Sequence, residues 1–256
     1  MLFDTHCHLN SERYEEIKTL IESSHLAGIA KMIVPGYDLK SSYEAKELSE
    51  KYPFIYPAFG IHPSETDKIT NMDLESLTNL ASNHFCVAIG EAGLDYYWQK
   101  DNKAAQIKLF KFQIELALSL DKPIIVHMRD SVQDCYDIIS SYKGKLKGVM
   151  HCYSGSLEMA EKFIELGLYI SIAGPVTYKN AKEAVRVVEN IDFNYLLIET
   201  DCPYLTPEPL RGKINEPRFL EYTAKKIAEI RNIPFEEVSK ITFQNALRCF
   251  GLDKGE

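Results

Sequence analysis

The sequence predicts a (β/α)₈ barrel. Short apolar runs alternate with amphipathic segments along the chain, the mark of βα units and a parallel sheet. Polar side chains able to bind metal stand directly after the first, fourth, fifth, sixth and eighth of these runs. The length, 256 residues, is close to the roughly 250 residues of one barrel domain. A single domain over 1–256 is therefore expected, with an open, doubly wound sheet as the alternative.

The expected strands are 2–5, 30–34, 55–60, 86–90, 123–126, 148–150, 168–172 and 195–199. They are nearly all apolar and several are β-branched, as strands buried on both faces are. Tyr14, Ile17 and Ile21 mark one helical face after the first strand. Ile107, Phe110, Ile114, Ala117 and Leu118 mark a helix near 103–120, where apolar residues recur at helical spacing. Val132, Cys135 and Ile139 mark another, with Asp130 or Ser131 as its candidate cap. Two more helices are expected near 216–231 and 235–249.

Composition narrows the function. Hydrophobic residues at 45% and charged residues at 26% fit a folded chain, not a disordered one. No run approaches the roughly 18 apolar residues of a membrane span, and the N-terminus has no basic stretch followed by an apolar one. A cytoplasmic protein with no membrane association and no obligate protein partner is expected. The cysteines at 7, 86, 135, 152, 202 and 249 form no CxxC pair, so neither a zinc ribbon nor a disulfide scaffold is indicated. A net charge of −8 argues against a broad basic clamp on a nucleic-acid duplex. It leaves room for a small site that meets phosphate through bound cations.

The chemistry sits at the strand ends. His6 and His8 are two apart, so on an extended chain they share a face and can bind one cation. Glu91 follows an apolar run, where a buried carboxylate needs a partner. His127, His151 and Asp201 follow the fifth, sixth and eighth strands. Taken singly, each has a plain structural alternative: a hydrogen-bonded histidine, a solvated glutamate, a helix-capping acid. In a barrel, however, the C-terminal strand ends converge on one mouth, where active sites lie. Four imidazoles and two carboxylates gathered there suit one or two divalent ions.

The same residues lie in seven motifs: FDTHCHL from Phe3, GIHP at 60–63, IGEAGLDYYW at 89–98, IVHMRD at 125–130, HCYSG at 151–155, ETDCPYL at 199–205 and RGKINEP at 211–217. In this order they resemble the TatD family of metal-dependent deoxyribonucleases, within the wider amidohydrolase-like superfamily. The resemblance covers nearly the whole chain. It implies a TIM barrel, dependence on Mg²⁺, Mn²⁺ or Zn²⁺, and hydrolysis of phosphodiester bonds, often as a 3′→5′ exonuclease on DNA. Carried over by position, His6, His8, Glu91 and Asp201 would hold a first ion, and Glu91, His127 and His151 a second. Glu91 would bridge them, where many amidohydrolases use a carboxylated lysine.

On that reading a hydroxide bridging the ions is the nucleophile. Glu91 and Asp201 are the catalytic carboxylates, and Asp201 accepts or relays the water's proton. Without metal, these two carboxylates are expected to repel one another and favour protonation. Candidate substrate contacts are His62, Arg129, Glu199, Arg211 and Lys213. A third ion shared by His62 and Glu199 is a further option. For Arg129 a salt bridge with Asp130 or another acid fits as well as a phosphate contact, and for Arg211 and Lys213 so does an ordinary solvated loop charge. Tyr96, Tyr97 and Trp98 fit packing as well as base stacking. DNA, single-stranded or at a 3′ end, is the expected partner. The competing functions are an amidohydrolase or esterase acting on a small non-nucleic substrate, and a metal-dependent binding protein without turnover.

Overall fold

The structure is a computed structural model that describes residues 1–142 and 144–253. Residues 143 and 254–256, which the expected domain span includes, lie outside the described residues. Eight strands form one parallel sheet in sequence order: β1 (Leu2–Asp4), β2 (Ile29–Pro35), β3 (Ile55–Phe59), β4 (Ala88–Asp95), β5 (Ile124–Arg129), β6 (Gly148–Met150), β7 (Leu168–Ile172) and β8 (Leu196–Ile198). The seam between β8 and β1 is closed by hydrogen bonds. Thr5 N–H donates to the Ile198 carbonyl at 3.2 Å, and Asp201 N–H donates to that of His6 at 2.9 Å. The helices on the outside are α1 (Ile17–Leu26), α2 (Leu39–Lys51), α3 (Asn71–Ala81), α4 (Lys103–Ser119), α5 (Val132–Ser140), α6 (Leu157–Glu165), α7 (Lys182–Asn190), α8 (Leu220–Arg231) and α9 (Phe235–Cys249). The barrel expected from the alternation is the fold observed.

Side-chain alternation explains where the polar residues go. Phe3, Ile33, Ala58, Ala88, Ile125, Val149 and Leu197, one from each of seven strands, form an apolar layer that packs on Ala246 and Phe250 at the C-terminal end of α9. That helix plugs the N-terminal end of the barrel. Successive residues of a strand face opposite ways, so positions two apart share a face. Two residues beyond Ile125, Val149 and Leu197 come His127, His151 and Glu199. The interior is thus apolar at the bottom and polar at the mouth.

Several boundaries differ from expectation. β4 does not stop at Gly90 but runs on through Glu91 to Asp95, and β5 runs through His127 to Arg129. A register irregularity between Ile89 and Ala92 accommodates the extra length. Polar residues there read as strand ends, but they pair with one another at the mouth. Tyr14 lies before α1, and its hydroxyl donates from the loop after β1 to the Asn215 carbonyl in the loop after β8, at 2.6 Å. Ser131 precedes α5 without a side-chain cap bond, because its hydroxyl donates to the Leu94 carbonyl at 2.9 Å. On α4, Ile107 and Leu118 are only partly buried, while Gln106 and Gln113 are fully buried. These glutamines are two turns apart and hold the loops after β4 and β3. Gln113 exchanges two hydrogen bonds with the Ile61 backbone, at 2.8 and 2.9 Å. Among the described residues, no helix is long and apolar enough to cross a membrane.

Candidate metal centre

Close strand contact brings the fourth and fifth strands' polar residues together. Gly93 has φ +150°, and a Cβ there would overlap the His127 carbonyl oxygen. Only glycine allows that approach. It places Glu91 of β4 beside His127 of β5. Asp201 sits just past β8 in the left-handed region, φ 52°, which aspartate tolerates better than most residues.

The six side chains His6, His8, Glu91, His127, His151 and Asp201 meet at this mouth. Glu91 stands between two pairs of histidines and turns one oxygen to each. Its Oε1 is 2.8 Å from His127 Nδ1 and 2.7 Å from His151 Nε2. Its Oε2 is 3.6 Å from both His6 Nε2 and His8 Nε2. Asp201 Oδ1 closes the His6–His8 side at 3.8 and 3.5 Å. Two compact donor groups result: His6, His8 and Asp201 on one side, and Glu91, His127 and His151 on the other.

The hydrogen bonding behind the rings tests whether a cation fits. A neutral imidazole carries one N–H and one lone pair. His151 Nδ1 lies 3.3 Å from Glu199 Oε1, and His127 Nε2 lies 3.1 Å from Asp95 Oδ2. Each carboxylate accepts a hydrogen bond from its ring N–H, which in the neutral tautomer leaves the other nitrogen's lone pair facing inward. Those inward atoms are 3.2 Å apart and both face Glu91 Oε1. Converging lone pairs backed by carboxylates are the arrangement by which proteins orient histidine toward metal. The donor set fits a divalent ion.

Asp95 backs His127 and Asp4 braces the strand that carries His6; neither is among the residues expected to hold metal or substrate. Asp4 is fully buried and ties β1 to the end of β8. It accepts from Thr200 N at 3.0 Å, from Thr200 Oγ1 at 2.6 Å, and from His6 N at 3.3 Å. Burial pushes its carboxyl up to about 8, against these hydrogen bonds. Asp4→Ala leaves the Thr200 donors buried without partners, each costing about 1–3 kcal/mol. A loss of about 3 kcal/mol in urea unfolding is expected, with unchanged slope. A change below about 1 kcal/mol would contradict the tie.

The electrostatics correct one expectation. Glu91 and Asp201 do not push each other toward protonation. Burial alone would raise Glu91, but the charge of His151 and hydrogen bonds from His127 and His151 hold it well below 4.5. Burial likewise opposes, and the histidines reverse, the shift at Asp201, which ends below 3.8. The imidazoles take up the protons instead. Burial lowers His151 and His127, yet Glu91 with Glu199, and Asp95 with Glu91, outweigh it and leave both above 6.5. Protons and a divalent cation compete for the same lone pairs. Cation affinity is therefore greatest above these raised values and falls as the pH drops through them. The decline begins above pH 6.5, at about tenfold per unit for each imidazole that must lose a proton. Competition with a chelator of known affinity between pH 8 and pH 5 measures it, and a flat profile contradicts this donor set.

The structure places the remaining candidates as follows. His62 Nδ1 accepts from Ser64 N at 3.1 Å, so its Nε2–H points inward, 3.8 Å from Glu91 Oε1. Burial and the His127 charge bring His62 down to about 3, so it is a neutral N–H donor. It groups with Asp95 and His127, whereas Glu199 groups with His6 and His151. The two are not brought together as a third site. Glu199 is fully buried behind His151 and does not face solvent. Arg129 makes no salt bridge among the described residues and stacks on Tyr97 and Trp98. Arg211 lies on the Tyr178 ring, 3.9 Å from Glu208, and Lys213 is exposed.

A parallel barrel with imidazoles and carboxylates gathered at its C-terminal mouth defines the class: this is a metal-dependent hydrolase. The sequence profile of the family "TatD related DNase" matches residues 3–251, and the chain belongs to that family. It is 43% identical to the uncharacterized metal-dependent hydrolase YabD of Bacillus subtilis, over 99% of this chain and all of that one. It is 33% identical to the uncharacterized metal-dependent hydrolase YcfH of Escherichia coli, over 98% and 96% of the two chains. The crystal structure of YJJV, a TatD homolog from Escherichia coli K12, superposes with a TM-score of 0.93 at 29% identity, covering 98% of each chain.

Proposed function

We propose that this hydrolase cleaves phosphodiester bonds in DNA, releasing nucleotides from 3′ ends. The observation that carries the reading is the placing of Glu91, one oxygen toward His6 and His8 and the other toward His127 and His151. It supports two divalent ions, Mg²⁺, Mn²⁺ or Zn²⁺, as in two-metal phosphodiesterases. His6, His8, Glu91 and Asp201 would hold one, and Glu91, His127 and His151 the other. When bound, such a pair supplies charge neutralisation at phosphate oxygens and makes water acidic near neutral pH.

The chain's own groups do the rest. Asp201 stays ionised, so it can accept the proton of the attacking water. Its side chain is 14% exposed against 5% for Glu91, which gives that proton a way out to solvent. His62 directs a neutral N–H at the same space and can bind a phosphate oxygen. Asp95 and Glu199 fix the rings of His127 and His151. Arg211 and Lys213, exposed in the loop after β8, steer an anionic strand toward an otherwise acidic protein. The span 1–256 acts as one hydrolase domain. Six free cysteines suit a reducing compartment such as the cytosol.

The test offers the metal-loaded protein single-stranded, 3′-overhang and 3′-recessed DNA beside panels of amides and carboxylic esters. Mononucleotide release that Glu91→Ala abolishes is the expected result. Hydrolysis of amides or esters alone overturns the nuclease reading, and DNA binding without turnover overturns the enzyme reading.

A further inference from the structure

We propose that Tyr97, Trp98 and Arg129 form a stacking platform for one unpaired base of a DNA strand whose adjoining phosphate lies at the metal centre. The proposal rests on the nuclease reading above and names the part of the substrate recognised beside it.

Trp98 is the chain's one tryptophan, and it is 69% exposed, with Tyr97 at 48%. Large aromatic rings usually contribute to cores, so two adjacent exposed ones at a site mouth need a reason. Their neighbour Tyr96 behaves differently. It is buried, and its hydroxyl donates to Asp134 Oδ2 at 2.7 Å, so it is a packing residue. The exposed pair meets edge to face, with centroids 4.8 Å apart and planes at 88°. The Arg129 guanidinium lies over both, 4.2 Å from the Tyr97 centroid and 5.5 Å from that of Trp98.

The rings are held in register with the metal centre. Asp95 Oδ1 accepts from Tyr97 N at 2.9 Å and Trp98 N at 3.0 Å, while its Oδ2 faces His127 Nε2 at 3.1 Å. One carboxylate thus orients a metal-facing histidine and caps the aromatic turn. Buried Gln106 fixes that turn again, accepting from Asp95 N at 2.9 Å and donating to the Gln99 carbonyl at 3.0 Å. Arg129 stands two residues beyond His127 on β5, on the same face. A mobile surface loop would have no need of such anchoring.

The chemistry selects the occupant. Every base offers a π face to an aromatic or guanidinium surface, without demanding a particular sequence. The guanidinium also complements the phosphates on either side of that base. Inside a duplex the faces of each base are covered by its neighbours, so only a frayed end or a single strand can use the platform.

Because Trp98 is the sole indole, its fluorescence reports on the platform alone. Magnesium-loaded protein is titrated with hydrolysis-resistant phosphorothioate oligothymidylate, and with an abasic oligomer of equal length and linkage. Saturable quenching by the first and none by the second is expected. Trp98→Ala is expected to raise KM for single-stranded DNA about tenfold or more, a larger effect than on kcat, and Trp98→Phe to restore most of it. Nucleotide release with emission indifferent to both oligomers, or an unchanged KM in Trp98→Ala, overturns the platform alone. No release from any DNA overturns the nuclease reading and the platform with it.

Discussion

Glu91→Gln is expected to lower hydrolysis by about a thousandfold, or ~4 kcal/mol at 1.4 kcal/mol per factor of ten. The amide keeps the size of the carboxylate but replaces one oxygen by an N–H₂ group. Glu91 needs an acceptor on both sides, since Oε1 meets His127 and His151 while Oε2 meets His6 and His8. A donor on either side faces nitrogen lone pairs and repels a cation. The loss should appear in kcat, with the metal content of the purified variant reduced in parallel. Activity within about tenfold of the parent would contradict the shared role of this carboxylate.

Chelation is expected to have the second large effect. A ligand that binds only the folded state adds about 4 kcal/mol when present at a thousand times its dissociation constant. For a chain of this length that corresponds to a melting shift on the order of 10 °C. Exhaustive treatment with a chelator should therefore abolish hydrolysis and lower the melting temperature together. Re-addition of Mg²⁺, Mn²⁺ or Zn²⁺ should restore both, and the most effective ion identifies the preferred metal. Full activity after chelation, with no melting shift, would contradict a resident metal.

What could be read from the sequence depended on how local the cause was. The strands Gly148–Met150 and Leu168–Ile172 and the last helix, Phe235–Cys249, stand where the patterns of apolar residues put them. The six mouth residues were legible because each follows an apolar run, and the barrel carries all such positions to one end. The continuation of β4 and β5 through Glu91 and His127 was not legible, because a polar residue after an apolar run reads as an exit from the core. Only the partners across the barrel make those positions tolerable.

Asp4 was hidden for a related reason. Its partner Thr200 is 196 residues away, and no spacing rule connects them. Asp95 sat inside a recognised motif, yet its two-sided role depends on where His127 lies. The helix pattern near 103–120 pointed to Ile107 and Leu118, because apolar periodicity gives no credit to glutamine. The buried glutamines of α4 serve loop backbone at the mouth, which a hydrophobic pattern does not reveal. For Arg129 the sequence left two readings open, a phosphate contact suited to its guanidinium and a salt bridge with Asp130 or another acid. Its placing over Tyr97 and Trp98 is a matter of ring geometry that only the folded chain displays.

The most direct measurement is anomalous diffraction at the manganese or zinc edge from crystals of the metal-loaded protein. Two peaks are predicted, one within reach of His6, His8 and Asp201 and one within reach of His127 and His151, with a Glu91 oxygen directed at each. No peak beside Glu91, or metal bound only away from the barrel mouth, would contradict the account.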